Sequence, residues 1–431
     1  MQHPFDTTNG LRHFLSQQSD ESLLEILQYL LGDILRPANP AKLDLDLLPD
    51  DFVGYCATAR SSLERGRITS GMALLLIEQI CTLITAATVP DLVRTGNAVR
   101  FKPNAQGELP WDDVLEHVQL TGFAIIDEYL GAGEVAALEA DIGVFEGEVR
   151  AGIAQARAEA PGANLRTGDL LVLQDGSALP TFDERAVHAK TVVLPREGVD
   201  EGVVDVFNPD LAMPGLAPRF DRWMRSEQLL KLVRAVGGET QIPGPCHVYF
   251  NTDVVRTRSY HLDGILAAYK TFIYATDVSS LEDGPFCIFP TTQRKDHPLK
   301  LLNVRFNERA KVAERLKYDM FLADERLSVP VLGRAGTLII GAIHAMHRGL
   351  PQAEGRGRVA LVQTYKDARH FYPLAAKTDH PRLSPKARAW VANGGKLPAA
   401  APSPSIPVSA PAAAVVPVHA PEPAVAAPAP P

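Results

Sequence analysis

The fold is decided by a series of short apolar runs in the second half of the chain: CHVYFNTD (246–253), YKTFIYATDV (269–278), GPFCIFP (284–290), GTLIIGAI (336–343) and RVALVQTY (358–365). Gly, Pro and Asp residues separate these runs from one another. Runs of this length that are rich in Val, Ile, Tyr and Phe are typical of β-strands. Many strands at such short intervals predict a β-sandwich or a β-barrel.

Helical patterns flank this strand-rich region. Ser19–Ser22 offers N-cap chemistry just before LLEILQYLLGDIL (23–35), whose leucines and isoleucines recur at helical spacing. The texture changes at Trp111, where the apolar strand GFAIID (122–127) is followed by a long helical pattern. We therefore predict a helical extension at 1–110, which packs on the protein or mediates a homodimer, and a mainly β domain with helices at 111–375.

The C-terminal part of the chain has a different composition. A short helical pattern is predicted at 376–396, and residues 397–431 consist almost entirely of Ala, Pro, Val and Ser. A segment with so little charge and almost no aromatic residues cannot bury a core. We expect residues 397–431 to form a disordered tail.

The overall composition excludes several kinds of protein. The formal net charge is −8 and the pI is about 5.9, whereas a general nucleic-acid binder needs a net basic surface. The chain has 4 cysteines, widely spaced and without a CxxC pair, which indicates a reducing, cytoplasmic compartment. The apolar stretch at 72–89 carries Glu78 and Gln79 in its middle, which favours a core helix over a membrane span. We expect neither nucleic acid nor a membrane as a partner.

The segment Tyr260–Gly264 carries the first candidate metal ligands. In a strand, residues i and i+2 point to the same side, so His261 and Asp263 can be directed at one point. Non-haem iron enzymes that activate oxygen commonly bind the metal with two histidines and one carboxylate, which leaves coordination positions open. An HxD motif alone is a weak signal, because it is frequent by chance.

Two residues far along the chain strengthen this signal. His347 follows the apolar run at 336–343, and Arg358 opens the next strand. A guanidinium group forms bidentate pairs with carboxylates, which suits the anchoring of a dicarboxylate such as 2-oxoglutarate. His344 is the alternative distal ligand on the same predicted strand, and Arg356 is the alternative anchor; we favour His347 and Arg358.

Together these motifs resemble the phytanoyl-CoA dioxygenase family of iron(II) and 2-oxoglutarate-dependent oxygenases. The resemblance covers about residues 111–370 and includes the strand at 122–127, the HxD at 261–263, the stretch at 277–290, and the segment from His347 to Arg358. It implies a double-stranded β-helix, or jelly roll, with His261, Asp263 and His347 as iron ligands and Arg358 as the 2-oxoglutarate anchor. It also implies O2 as a co-reactant and the oxidation of a small organic substrate, with release of succinate and CO2.

The chain departs from the family pattern at two places. Thr291–Gln293 replaces the usual end of the Phe-Pro strand, and Gly349 stands where a hydroxyl residue often helps to hold 2-oxoglutarate. Further contacts to the cosubstrate must therefore come from elsewhere. Asn251, Thr271 and Tyr274 are polar residues of nearby predicted strands, and we expect them to supply these contacts.

A group of basic residues surrounds the motifs, and it could focus an anionic substrate toward the site or form a solvated surface: Arg256, Arg258, Lys270, Arg294, Lys295, Arg348 and Arg356. Three rival functions remain open. A halogenase of the same fold would lack the carboxylate ligand, so Asp263 disfavours it. A catalytically silent scaffold protein and a cupin-like iron enzyme that needs no 2-oxoglutarate are the others. The identity of the substrate is beyond the sequence.

Overall fold

The protein was analysed as a computed structural model that describes residues 10–34, 51–89, 100–174, 191–310 and 319–367. The predicted helical segment at 376–396 and the predicted disordered tail at 397–431 lie outside the described residues.

The helices fall into an N-terminal group and a group that belongs to the β domain. They are α1 (Leu11–Ser16), α2 (Asp20–Ile34), α3 (Phe52–Glu64), α4 (Ser70–Thr88), α5 (Trp111–Thr121), α6 (Ala132–Glu159), α7 (Pro209–Ala212), α8 (Ala217–Met224), α9 (Glu227–Gly237) and α10 (Pro298–Ala310). The predicted cap of α2 is present, because the Ser22 backbone N–H donates to Ser19 Oγ at 3.1 Å. Such caps satisfy N–H groups that have no partner within the helix.

The strands form one large sheet and one small sheet. They are β1 (Arg100–Phe101), β2 (Phe123–Ile126), β3 (Leu165–Thr167), β4 (Leu170–Val172), β5 (Thr191–Pro195), β6 (Val203–Phe207), β7 (Gln241–Thr252), β8 (Ala268–Tyr274), β9 (Phe286–Ile288), β10 (Val329–Val331), β11 (Leu338–Ala342), β12 (His347–Gly349) and β13 (Gly357–Asp367). The large sheet has the order β1-β2-β11-β8-β13-β7-β6-β5-β4-β3, and the small sheet has the order β10-β9-β12.

The path of the chain through these sheets defines a double-stranded β-helix. Strands β7, β8, β11 and β13 lie in the large sheet, whereas the intervening β9, β10 and β12 lie in the small sheet. Between β7 and β8, His261 forms an isolated antiparallel bridge with His347, so the chain also visits the edge of the small sheet there. The chain therefore alternates between two facing sheets, as a jelly roll does. This confirms the predicted fold class.

The alternation of side chains along each strand separates two cores. In β9, Phe286 and Ile288 belong to the core of the β domain, whereas Cys287 faces the opposite way into a second core. Large-sheet strands likewise present one set of residues to the space between the sheets and the other to the helices. Phe250 of β7, for example, packs against Phe145 of α6, with ring centroids 6.2 Å apart. This period of two determines which side chains of each strand point into the space between the two sheets.

The second core joins the N-terminal helices to the small sheet. Leu27 and Ile77 are fully buried in it together with Leu262, Met346 and Leu350. The Tyr29 hydroxyl of α2 donates to the Leu302 carbonyl of α10 at 2.9 Å. The predicted helical extension thus packs on the wall that carries the HxD segment. Strand β1 also lies before the predicted boundary at residue 110 and pairs in parallel with β2.

Helix α4 (Ser70–Thr88) is the one described helix that is long and apolar enough to cross a membrane by length and composition. Its buried positions include Ile77, Ile80 and Ile84, which recur at helical spacing and lie in the second core. Glu78 on the same helix pairs with Arg12 at 2.8 Å. This is the packing of a core helix, in which one face is buried and the other positions are exposed to solvent.

The shared core predicts that the helical extension and the β domain unfold together. Leu27→Ala should lower the free energy of unfolding by about 2–5 kcal/mol, because it removes a fully buried side chain and leaves a cavity. Leu75→Ala is the matched control, since Leu75 is 61% exposed and its truncation should change stability by less than about 0.5 kcal/mol. Denaturant unfolding followed by both tryptophan fluorescence and circular dichroism measures this. Two separate transitions, with only one affected by Leu27→Ala, would contradict the shared core.

Candidate metal centre and its cavity

The structure brings together the three side chains that the sequence predicts as metal ligands. One ligand atom from each of His261, Asp263 and His347 lies within 4.8 Å of the others. His261 Nε2 is 3.5 Å from Asp263 Oδ1, and His347 Nε2 is 4.0 Å from Asp263 Oδ2. Two imidazole nitrogens and one carboxylate oxygen that converge in this way form a donor set that suits iron(II).

Both histidines are held with the same nitrogen facing the cluster. His261 Nδ1 lies 2.8 Å from the Ser259 carbonyl oxygen, and His347 Nδ1 lies 2.9 Å from the Ala345 carbonyl oxygen. A carbonyl oxygen can only accept, so each Nδ1 carries the proton and donates it. Each Nε2 therefore keeps a lone pair, and backbone contacts of this kind are what orient metal-ligating histidines in general.

Backbone hydrogen bonds fix the distance between the ligands. The His261 N–H donates to the His347 carbonyl oxygen at 3.0 Å, and the His347 N–H donates to the His261 carbonyl oxygen at 3.1 Å. The Asp263 N–H donates to the Ile343 carbonyl oxygen at 2.9 Å. The reciprocal pair makes the histidines directly opposed neighbours, as in an antiparallel ladder.

The charge states of these groups suit metal binding at neutral pH. The pKa of His347 is lowered to about 3, chiefly by burial and then by the neighbouring His261, against the opposing effect of Asp263. Burial raises the pKa of Asp263, but Lys270 and the two histidines outweigh this, so the pKa lies well below its usual range. The neutral imidazole of His347 and the ionised carboxylate are the forms that bind metal.

His344 lies in a different place from the one that the sequence analysis expected. It does not share a strand with His347, because residues 343–346 form a turn between β11 and β12. Its Nδ1 lies 3.0 Å from the Ala268 carbonyl oxygen, and its ring packs at a steep angle against Tyr269, at 5.3 Å between centroids. His344 is therefore outside the cluster that contains His347.

A cavity opens directly at the three candidate ligands, and Arg358 lies in its wall. Arg358 is 8% exposed, and its Nη1 donates to the Gly284 carbonyl oxygen. Its buried Nε has no hydrogen-bond partner among the described residues. Arg356, the alternative anchor, is directed away and pairs with Glu282 and Asp283, each at 3.4 Å. The cavity wall thus contains a guanidinium group of which one nitrogen lacks a partner among the described residues.

The other predicted cosubstrate contacts divide between the two faces of the large sheet. Asn251 and Tyr274 line the cavity, and Asn251 lies directly opposite Arg358 in the β7–β13 register. The pKa of Tyr274 is raised to about 12, because the effect of burial outweighs the lowering effect of the neighbouring Arg358. Thr271 requires a correction: it follows Lys270 and precedes Phe272, which both line the cavity, so its side chain faces the opposite side.

The expected basic cluster is more dispersed than the sequence suggested. Arg258 and Lys270 line the cavity. Arg348 faces the second core instead, where its guanidinium lies 5.6 Å from the Tyr260 ring centroid. Arg294 pairs with Asp296 at 3.4 Å. The cavity wall also contains Arg196, which the sequence analysis missed, because a single arginine after a strand carries no signal of its own.

Arg258 and a metal ion would compete for the same lone pair. Arg258 Nη2 lies 3.1 Å from His261 Nε2 and donates to it, since the Nδ1 of this ring already donates to Ser259. An imidazole has one free lone pair, so the guanidinium must leave when a metal binds. Asp200 can receive it, because Asp200 Oδ2 already lies 3.5 Å from Arg258 Nε.

Comparisons with known proteins give distant structural likenesses. No family model matches the chain, and no curated protein matches it. The epimerase SnoN from nogalamycin biosynthesis, a non-haem α-ketoglutarate-dependent enzyme, is 16% identical, covers 60% of this chain and 83% of its own, and has a TM-score of 0.34. HygX from Streptomyces hygroscopicus, with nickel and 2-oxoglutarate bound, is 16% identical at 58% and 85% coverage, with a TM-score of 0.32. EctD from S. alaskensis, with bound iron, is 13% identical at 59% and 76% coverage, with a TM-score of 0.34.

The cluster predicts different outcomes for two neighbouring histidines. His347→Ala should abolish stoichiometric iron(II) binding, because it removes one of three converging donors. His344→Ala should bind iron(II) within about threefold of the wild type, a change of about 0.7 kcal/mol. Anaerobic calorimetric titration with iron(II) measures both affinities, and circular dichroism checks the fold. Full binding by His347→Ala together with loss of binding by His344→Ala would reverse the assignment.

Removal of the competing guanidinium should strengthen metal binding. Arg258→Met removes a partly exposed guanidinium that donates to the metal-binding nitrogen of His261, so iron(II) should bind about two- to tenfold more tightly. Arg256→Met removes the same charge two residues away from an exposed position, and it should have a smaller effect. Equal effects of the two substitutions in the same titration would show that charge, and not competition for the His261 lone pair, controls the affinity.

Proposed function

We propose that the protein is a non-haem iron(II) and 2-oxoglutarate-dependent oxygenase that oxidises a small organic substrate. The observation that supports this proposal is a single cavity that is lined both by candidate metal ligands and by a buried guanidinium group. Its wall contains three converging metal donors and the buried guanidinium of Arg358, whose Nε has no partner among the described residues. Metal binding by the first and carboxylate binding by the second are the requirements of this class of enzyme.

The residues at the metal end would hold iron(II) on one side and leave the cavity side open. His261, Asp263 and His347 supply the donors, and the backbone pair between the histidines keeps them in place. The bound metal would supply the oxidising chemistry, in which O2 gives one oxygen atom to 2-oxoglutarate, which becomes succinate and CO2, and the other to the substrate. The protein orients the target carbon and keeps water out, and the apolar rings of Phe272 and Phe286 in the cavity wall serve this purpose.

Arg358 is prepared to anchor a carboxylate. Its Nη1 donates to the carbonyl oxygen of Gly284, whereas its Nε has no partner among the described residues, and this unused donor supports a role in binding a carboxylate. Gly284 has φ of +68°, and a Cβ atom there would lie 2.8 Å from the Leu350 carbonyl oxygen. This position therefore requires glycine. Asn251 lines the same cavity and lies opposite Arg358, and its side-chain Nδ2 amide group is the second donor proposed to contact the cosubstrate.

We also propose that the protein belongs to the phytanoyl-CoA dioxygenase family and is located in the cytoplasm. The family is supported by the sequence motifs, and the location is supported by the cysteine usage. The retained carboxylate of Asp263 counts against a halogenase, and the intact donor set counts against a silent scaffold protein. A cupin-like iron enzyme without 2-oxoglutarate would have no use for the buried Arg358, which makes this residue the basis of the decisive experiment.

Truncation of Arg358 should weaken 2-oxoglutarate binding strongly. Loss of one partner of a buried charge-assisted pair costs about 2–5 kcal/mol, so Arg358→Ala should raise the dissociation constant about thirtyfold or more. Arg358→Lys should recover part of this loss, because it keeps the charge without the bidentate geometry. The measurement is an anaerobic 2-oxoglutarate titration of the iron(II) protein, followed by its metal-to-ligand charge-transfer absorbance.

The matched control is Arg356→Ala, which removes an exposed arginine just before β13. It should leave the dissociation constant for 2-oxoglutarate within about twofold of the wild type. Iron(II) affinity without cosubstrate should be unchanged in both variants. Equal 2-oxoglutarate affinity in the wild type and Arg358→Ala would remove this arginine from the site. Absence of the absorbance band in the wild type would overturn the assignment of the cosubstrate.

A further inference from the structure

Lys270 is the charged residue in the cavity whose role the proposed function leaves open. It lies on β8 and lines the cavity, and its Nζ is 2.7 Å from Asp263 Oδ2. The lysine and aspartate side chains are 16% and 20% exposed, so the pair is largely shielded from solvent. A contact of this length between two charged groups is a strong, charge-assisted hydrogen bond.

We propose that Lys270 is a positioning residue that holds one oxygen of Asp263 and thereby restricts this carboxylate to binding iron through its other oxygen. The inference rests on the proposed iron site. Its consequence is a coordination position kept open for O2 while 2-oxoglutarate is bound.

The geometry distinguishes the two carboxylate oxygens. Oδ2 accepts a hydrogen bond from the Lys270 ammonium and lies 4.0 Å from His347 Nε2, whereas Oδ1 lies closer to a candidate ligand, 3.5 Å from His261 Nε2. Lys270 and a metal can therefore be bound at the same time, each by its own oxygen. This differs from Arg258, whose hydrogen bond uses the one lone pair of His261 that a metal needs.

The number of coordination positions on iron(II) makes it important that Asp263 binds through one oxygen only. Iron(II) in such sites is octahedral, and two imidazoles with one carboxylate oxygen leave three positions on the cavity side. Chelation by 2-oxoglutarate fills two of these and leaves one. If both oxygens of Asp263 bound the metal, the cosubstrate would fill the remaining positions, and O2 would have no place to bind.

A different role for Lys270, as an anchor for a substrate or cosubstrate carboxylate, fits the structure less well. The ammonium is directed at Asp263 at hydrogen-bond distance, 2.7 Å from Oδ2. The cation in the cavity wall that has an unpartnered nitrogen among the described residues is Arg358. Removal of one member of a buried ion pair also leaves the other uncompensated, so Asp263 without Lys270 would seek a second contact with the metal cation.

The test uses nitric oxide as an analogue that occupies the open position and gives an electron paramagnetic resonance signal with iron(II). Lys270→Met should retain iron(II) binding and the 2-oxoglutarate charge-transfer band, because the donors and Arg358 are intact. Its nitric oxide affinity in the presence of 2-oxoglutarate should fall by about tenfold or more. Lys270→Arg should restore much of this affinity, since arginine can donate to the same oxygen.

Lys300→Met is the matched control, because Lys300 is also buried but donates to the carbonyl oxygens of Gln293 and His344. It should leave nitric oxide affinity within about twofold of the wild type, corresponding to about 0.4 kcal/mol. If Lys270→Met fails to fold by circular dichroism, Lys270→Ala replaces it, since it removes the same donor to Asp263 Oδ2 with a smaller side chain and should show the same loss.

The outcomes separate this inference from the proposed function. Unchanged nitric oxide affinity in Lys270→Met would overturn the positioning role while leaving the iron site in place. Loss of 2-oxoglutarate binding with unchanged nitric oxide affinity would make Lys270 a cosubstrate anchor instead, which also overturns the inference. Failure of the wild type to bind iron(II) would overturn the proposed function itself.

Discussion

The site depends on one reciprocal pair of backbone hydrogen bonds, between His261 and His347. These two residues are far apart in sequence, and their peptide groups donate to each other at 3.0 and 3.1 Å. The pair joins the segment before β8 to β12, at the edge of the small sheet. Because the contact uses main-chain atoms, it sets the spacing of the two rings independently of their side chains. Asp263 is then placed by period-two geometry and by its own bond to Ile343.

Charge compensation is the second constraint on the cavity. Asp263 is paired with Lys270, and Arg196 is paired with Asp200 and Asp205, each at 3.0 Å. Charges of this kind are costly to bury alone and persist because they are paired. A metal that enters this wall adds positive charge next to an ammonium and a guanidinium. The anionic cosubstrate offsets this charge, so metal and cosubstrate binding are electrostatically complementary.

The sequence was informative where periodicity and donor chemistry act locally. The short apolar runs predicted the strands, and the HxD spacing placed two ligands on one side of the chain. Period two would also have separated Thr271 from Tyr274, because an odd difference in position puts two strand residues on opposite faces. His344 could not be placed in this way, since it lies in a turn whose geometry depends on the contact with Ala268. Lys270 and Arg196 gain their roles only from strand pairing, which brings distant segments together.

The core shared by the N-terminal helices and the small sheet has a thermodynamic consequence. Leu262 and Met346, the neighbours of two candidate ligands, are buried against the same cluster as Leu27 and Ile77. A ligand that binds the native state alone stabilises it by about 2.7 kcal/mol at a hundredfold excess over its dissociation constant. In a single cooperative unit this stabilisation extends to every element that unfolds with the site. The N-terminal helices, whose described residues contribute no metal donor, should therefore become harder to unfold when the metal is bound.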